Sequence, residues 1–314
     1  MIKTSVSCLL LILMFVASSA RGQTAAPAPS QAPAPSPQPT PPWTDIYIVE
    51  LAKTKGQLKV GGPQRISTWE GYNNQPSFLP DNRSLFYTSI RADKQADTYR
   101  YNFADGSTTR ITETTESEYS PTPTPDGKSF SVIRVEADGI QRLWMFPLSG
   151  GKPTLILEKI KPVGYHVWVD RQTLMLFVLG EPPTLQLVDL KTQKPEIIAD
   201  KIGRSLHRVP RKPWISFVRK LSDEVWMIQA FDTQTRATSS LVKTLPGSED
   251  YAWTPQGILL MAKDSKLYKW NPSKDAGWQE LADFASAGLK NITRLAMSPK
   301  GDHLALVAQR EAKP

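Results

Sequence analysis

Six turn signals recur along the chain at a nearly constant interval, and this period limits what the chain can fold into more than any other feature. They begin at Pro80-Asp81-Asn82, Pro125-Asp126-Gly127, Asp170-Arg171-Gln172, Pro210-Arg211-Lys212, Pro255-Gln256-Gly257 and Pro299-Lys300-Gly301, in steps of 45, 45, 40, 45 and 44 residues. Pro presets the first corner of a tight turn, while Gly and Asn accept the positive φ that such turns need. Short apolar strands flank each turn, as in SLFYTS after the first and TLMLFVL after the third. A repeat of this length is that of a four-stranded propeller blade.

Within each period a third strand is marked by an aromatic or a leucine among polar residues: Thr98–Tyr101, Leu143–Phe146, Leu185–Val188, Val225–Ile228 and Leu267–Trp270. A fourth follows at Thr109–Thr112, Thr154–Leu157, Glu196–Ala199, Ser240–Val242 and Gln279–Ala282. Five full blades are therefore legible between Tyr72 and about Ala287. The C-terminal stretch supplies only two strands of a sixth. Asp45–Val49 and Pro63–Ser67 have the third- and fourth-strand patterns, so the two ends of the chain are expected to complete one blade and close the ring. The fold class is all-β: a six-bladed propeller closed by N-terminal strands.

The first 43 residues read differently. Lys3 precedes an apolar run from Cys8 to Ala17, and small residues follow, which is the layout of a secretory signal peptide over residues 1–22. Residues 23–43 form a Pro/Ala-rich segment that favours extended polyproline II and cannot build a core, so it is expected to be a disordered linker. The propeller is assigned to residues 44–314. No second apolar run of comparable length occurs, and no transmembrane span is expected in the mature chain. Cys8 is the single cysteine, so the exported chain would rely on packing and not on disulfides. These features place the protein in the periplasm or outside the cell. The formal charge of +8 falls to about +6 without Lys3 and Arg21, a modest surplus. Nucleic acid is excluded as a partner by the expected export.

The order P-x-F/W-x-P-D-G-K, then an apolar strand, an aromatic third strand, D-G and R-I/L-T resembles the repeat of TolB-like propellers. It is clearest at Gln75-Pro76-Ser77-Phe78-Leu79-Pro80-Asp81, at Pro125-Asp126-Gly127-Lys128, and at Asp105-Gly106 with Arg110-Ile111-Thr112. The resemblance, which covers about 270 residues, implies fold more than function, because this repeat serves periplasmic binding modules, sugar-acting lyases and peptidase propellers alike. TolB carries an α/β domain ahead of its propeller, and here the Pro-rich segment stands in that position.

No G-x-S-x-G nucleophile elbow, P-loop or G-x-G-x-x-G sequence occurs, and no cofactor is expected. Three histidines are present: His166, His207 and His303. His166 and His207 lie about one blade apart and could share a metal, but without a clear third ligand they read as channel lining, and no metal site is assigned. Glu118, Glu249 and Asp250 are the first carboxylates to consider for a two-carboxylate mechanism. Arg204, Arg208, Arg211, Lys212, Arg219 and Lys220 make blade four the most basic. Tyr99, Trp144, Trp226 and Tyr268 recur with the blade and are expected in the core.

The residues that begin the first strand of each blade should ring one mouth of the central channel. This gives a candidate binding set of Asn74, Gln75, Glu118, Tyr119, Tyr165, His166, His207, Asp250, Tyr251 and Arg294. Such a polar, aromatic-bearing ring suits a protein or peptide loop. The expected function is that of an exported, noncatalytic protein- or peptide-binding propeller associated with the cell envelope. The alternative is a carbohydrate-active or other hydrolytic or lyase propeller with its site at the same mouth.

Overall fold

The structure is a computed structural model that describes residues 41–54 and 56–309. The expected signal peptide and most of the expected linker lie outside these residues. The described chain is all-β apart from one 3-10 turn at Ala285–Ala287.

Each hairpin signal joins the first two strands of a blade. The innermost strands are Tyr72–Phe78, Ser117–Pro123, Val163–Trp168, Ile202–Arg208, Tyr251–Trp253 and Leu295–Met297. From each, the chain steps outward through antiparallel neighbours, giving four-stranded sheets over residues 117–155, 163–200, 202–243 and 251–283. Residues 72–110 form blade 1, which shares one parallel bridge, Thr44↔Tyr72, with the closing blade. The outermost strands are shorter than expected in three blades, Thr108–Arg110, Thr154–Leu155 and, in the closing blade, Gln64–Arg65.

The closure expected from sequence is present. Thr44–Thr54 pairs antiparallel with His303–Gln309, from Thr44↔Gln309 to Glu50↔His303, and Gln64–Arg65 pairs outside it at Tyr47↔Arg65. Ile46, Ile48, Val49 and Leu51 of the closing strand are buried, each stabilising the fold by about 2 kcal/mol on area grounds. One element has no counterpart in the sequence reading. Beyond Glu50 the closing strand runs past its C-terminal partner and folds back through Gln57–Val60. Leu58 and Val60 then pack against the core shared by blades 5 and 6.

The core is a set of layers between adjacent blades. Ile133 and Leu143 of blade 2 meet Trp168, Leu174 and Leu176 of blade 3, while Ile46, Ala305 and Val307 of the closing blade meet Leu85, Tyr87 and Tyr99 of blade 1. Of the recurrent third-strand aromatics, Tyr99 is buried, whereas Trp144, Trp226 and Tyr268 are half-buried. Cations cover two of them, Arg134 at 4.5 Å from the Trp144 ring and Lys220 at 4.1 Å from the Trp226 ring.

Two interfaces carry the same polar rivet. At the blade 2/3 boundary, Ser131 Oγ accepts from Trp168 Nε1 at 2.9 Å, donates to Thr122 O at 3.2 Å and lies 2.6 Å from His166 Nε2. At the blade 4/5 boundary, Ser216 Oγ accepts from Trp253 Nε1 at 2.9 Å and Tyr251 OH at 3.0 Å, and donates to His207 O at 3.3 Å. A hydroxyl has one proton and two acceptor positions. Satisfying all three contacts of Ser131 therefore requires His166 Nε2 to be the donor, as the Tyr251 hydroxyl is in the sister interface.

Candidate binding site at the channel collar

The innermost strands of all six blades line a central cavity of about 340 Å³. Its geometry follows from the repeat. Counting five residues back from each hairpin turn gives Gln75, Ser120, Tyr165, Ser205, Asp250 and Arg294, and every one of them lines the cavity. These six form a collar, one residue per blade. Below it, Pro76, Pro121, Leu206 and Leu295 make the wall largely apolar.

Backbone irregularities set the collar in blades 1 and 2. The first strands lose register between Asn74 and Ser77 and between Tyr119 and Thr122. Gln75 and Ser120 take φ of 55° and 54° there, a left-handed conformation uncommon for residues with a side chain and typical of built bulges. Gln75 Oε1 accepts from Ser120 N at 2.9 Å, which fixes the carboxamide and leaves its Nε2 to face other partners.

The other side of the collar is ionic. Asp250, buried to 6% exposure, receives Arg204 Nε at 3.1 Å and Ser205 Oγ at 3.2 Å, with Arg204 Nη2 at 2.5 Å on its second oxygen. Arg294 approaches the same carboxylate at 3.6 Å from blade 6. Burial raises the Asp250 pKa, but Arg294, Arg204 and their hydrogen bonds outweigh it and hold the carboxyl below its usual range. Arg204 also faces Glu249 at 3.6 Å, and Glu249 is met by Lys220 at 3.3 Å. Burial pulls the Arg204 pKa down, and the two acids more than restore it.

Arg294 does one thing more. Its Nη2 donates to the Tyr165 hydroxyl at 2.9 Å, with the guanidinium 4.9 Å from the ring centroid. Tyr165 is on blade 3, opposite blade 6, so this contact spans the channel. The Tyr165 ring is braced edge-on by Phe177 at 5.6 Å.

Both channel histidines are neutral. Burial lowers the pKa of His166 to about 3 and that of His207 to about 4, the latter against the pull of Asp250 and with the help of Arg294. Among the described residues, His166 Nδ1 has no hydrogen-bond partner, and neither does Ser120 Oγ. Among the described residues, no three His, Cys, Asp or Glu side chains converge as a metal-ligand group.

Of the ten candidates from sequence, Gln75, Tyr165, His166, His207, Asp250, Tyr251 and Arg294 line the cavity. Asn74 turns back to accept from the Gln75 backbone N at 2.8 Å. Glu118 is fully buried in an ion pair with Arg134 at 3.2 Å and a short hydrogen bond from Thr114. Tyr119 packs against the blade 2/3 core. Ser120 holds the blade 2 collar position, one residue past the pair singled out from sequence, and Arg204 belongs to the site although its sequence signal was only a cluster of basic residues. That cluster is dispersed: Arg219 pairs with Asp200 at 2.5 Å, Arg211 donates to Gln256 O at 2.6 Å, and Lys212 lies over Trp214. His303, at the closing seam, sits 3.0 Å from Asp302.

No protein-family model matches the chain, and no curated protein matches it either. Among solved structures, it is similar to a protein assigned as TolB from Agrobacterium tumefaciens, with a TM-score of 0.67, 15% identity and coverage of 87% of this chain and 100% of the other. TolB from Acinetobacter baumannii superposes with a TM-score of 0.54 at 14% identity, over 86% of this chain and 65% of that one. Oligogalacturonate lyase from Vibrio parahaemolyticus gives 0.51 at 12% identity, over 84% and 98%. At such identities the likeness is one of fold. The chain is a β-propeller of the architecture shared by TolB-like proteins and by propeller enzymes.

Proposed function

We propose that the protein is an exported, noncatalytic propeller that binds a protein or peptide at its channel collar, in the cell envelope or outside the cell. The observation that carries this reading is the state of the collar's ionisable groups. Asp250 is the one carboxylate among the cavity-lining residues, and three side chains already hold it. A two-carboxylate mechanism needs a second acid free to exchange a proton, and Glu118 and Glu249 are each committed to cations. Imidazoles held near 3 and 4 are weak bases at neutral pH. What the collar offers instead is fixed hydrogen-bond donors and a braced aromatic ring, the equipment of recognition. The fold likeness to TolB supports a binding role, and the signal-peptide pattern supports export.

The test compares wild type with a Tyr165→Ala/Arg294→Ala variant in capture from envelope extract, followed by direct titration with the purified captured partner. Binding by wild type and its loss in the folded variant supports the reading. Turnover of polygalacturonate, or capture that is unchanged in the variant, contradicts it.

A further inference from the structure

The collar's open hydrogen-bond groups are mostly donors. Arg294 spends one N–H on Tyr165 and lends one side to Asp250, leaving most of its five donors without an acceptor among the described residues. Tyr165 OH accepts from Arg294, so its own proton is unspent. Gln75 uses its carbonyl oxygen on Ser120 N, so its Nε2 presents two further donors. The charged acceptor in the ring, Asp250, is saturated, while the neutral acceptors Ser120 Oγ and, one step below, His166 Nδ1 stay unpartnered among the described residues. Charge is unbalanced in the same sense: Arg204, Arg294 and Lys220 face Asp250 and Glu249, three cations against two anions. Arg204 and Lys220 take up the two acids, and the surplus falls on Arg294, whose side chain is only 17% exposed. A partly buried cation with open donors favours an anion in direct contact, because its charge is screened less than at the surface.

Building on the peptide-binding reading above, we propose that the collar is a seat for a single carboxylate of a bound peptide. Arg294 grips it, and Tyr165 OH and Gln75 Nε2 donate alongside. Arg294, the cation left over at the collar itself, matches one carboxylate, while Arg208 lines the cavity further along the blade 4 strand. The apolar wall beneath, through Pro76, Pro121, Leu206 and Leu295, accommodates the side chain or methylenes attached to that carboxylate. The group is either a chain-terminal carboxylate or an Asp or Glu side chain, and the experiment separates the two.

Immobilised protein is exposed to random heptapeptide pools made with free-acid or amidated C-termini, and retained peptides are read by mass spectrometry. Enrichment of the free-acid pool over the amidated pool assigns a terminal carboxylate, while enrichment of Asp or Glu within both pools assigns a side chain. In either case Arg294→Gln should lower retention by about tenfold to a hundredfold. Arg294→Lys should recover part of it, and Tyr165→Phe should cost only a few-fold. A cooperative melting transition establishes that Arg294→Gln is folded. Peptides retained without carboxylate preference, or with a preference that survives Arg294→Gln, overturn the seat and leave the peptide-binding reading standing. No retention by wild type overturns both, and Arg294-dependent binding of digalacturonate would then reassign the collar to sugar acids.

Discussion

The closing seam and the channel collar are built from the same kinds of side chain and resolve them oppositely. At the seam, Asp302 receives Asn82 Nδ2 at 3.1 Å, Ser298 Oγ at 2.7 Å and His303 Nδ1 at 3.0 Å, while Asn82 Oδ1 accepts from Lys300 N at 3.1 Å. These bonds clip the hairpin turns of blades 1 and 6 together. At the collar, donors outnumber acceptors, and Arg294 reaches across the channel to a neutral hydroxyl. A matched polar set fastens the fold, whereas an unmatched one leaves free energy to be gained from a ligand.

The largest test removes the strands that close the ring beside this seam. Deleting residues 44–68 strips blade 6 of its outer strands and exposes the edge of His303–Gln309. Loss of cooperative thermal unfolding, with aggregation, is expected by circular dichroism and light scattering. A deletion variant that still melts cooperatively would show that the ring does not depend on its closure.

Next in size is Asp250→Ala, which leaves Arg204 and Arg294 facing each other without their shared anion. A buried pair broken on one side costs 3–5 kcal/mol, and with Arg204 one-third exposed the expected loss is about 2 kcal/mol in urea unfolding. Ser216→Ala orphans Trp253 Nε1 and the Tyr251 hydroxyl, and Ser131→Ala orphans Trp168 Nε1 and His166 Nε2. Each should cost about 1 to 2 kcal/mol by the same measurement, and a large difference between them would break the parallel between the two rivets.

The seam also predicts a pH response. Burial raises the Asp302 pKa, but Ser298, Asn82 and His303 outweigh it and lower the value from 3.8 to about 2. A depressed folded pKa contributes stability that is present above 3.8 and lost as pH falls towards 2. With the side chain 42% exposed, solvent screening reduces this contribution to about 1 kcal/mol. Between pH 4 and pH 2, Asp302→Asn should therefore lose about that much less stability than wild type. Equal acid sensitivity of the two proteins would contradict the assignment.

How far the sequence could be read follows from the same contrast. The hairpins were legible because Pro-Asp-Gly and its relatives dictate local backbone conformation, and the closure was legible because two half-blades had no other partner. The hairpin through Gln57–Val60 was not, since Thr54-Lys55-Gly56-Gln57 carries only a glycine as its turn signal and its apolar residues pack against a distant blade. In the collar, blade 2 presents Ser120, the residue after Glu118-Tyr119, from the same kind of bulge and at the same distance from its turn as Gln75 in blade 1. Counting a fixed five residues back from Pro125 would have found it. The Arg294–Tyr165 contact joins opposite blades, 129 residues apart, and no periodicity encodes it.

The central claim, that the seam's polar groups hold the fold while the collar's are held for a ligand, is tested most directly on Arg294→Gln by measuring urea stability and carboxylate-peptide retention on the same protein. The account predicts a stability loss of no more than about 1 kcal/mol, because Arg204 and Ser205 still hold Asp250, and retention lower by tenfold or more. A variant that loses stability while retaining the peptide as wild type does would show that Arg294 is another fastener of the fold and that the collar is no seat.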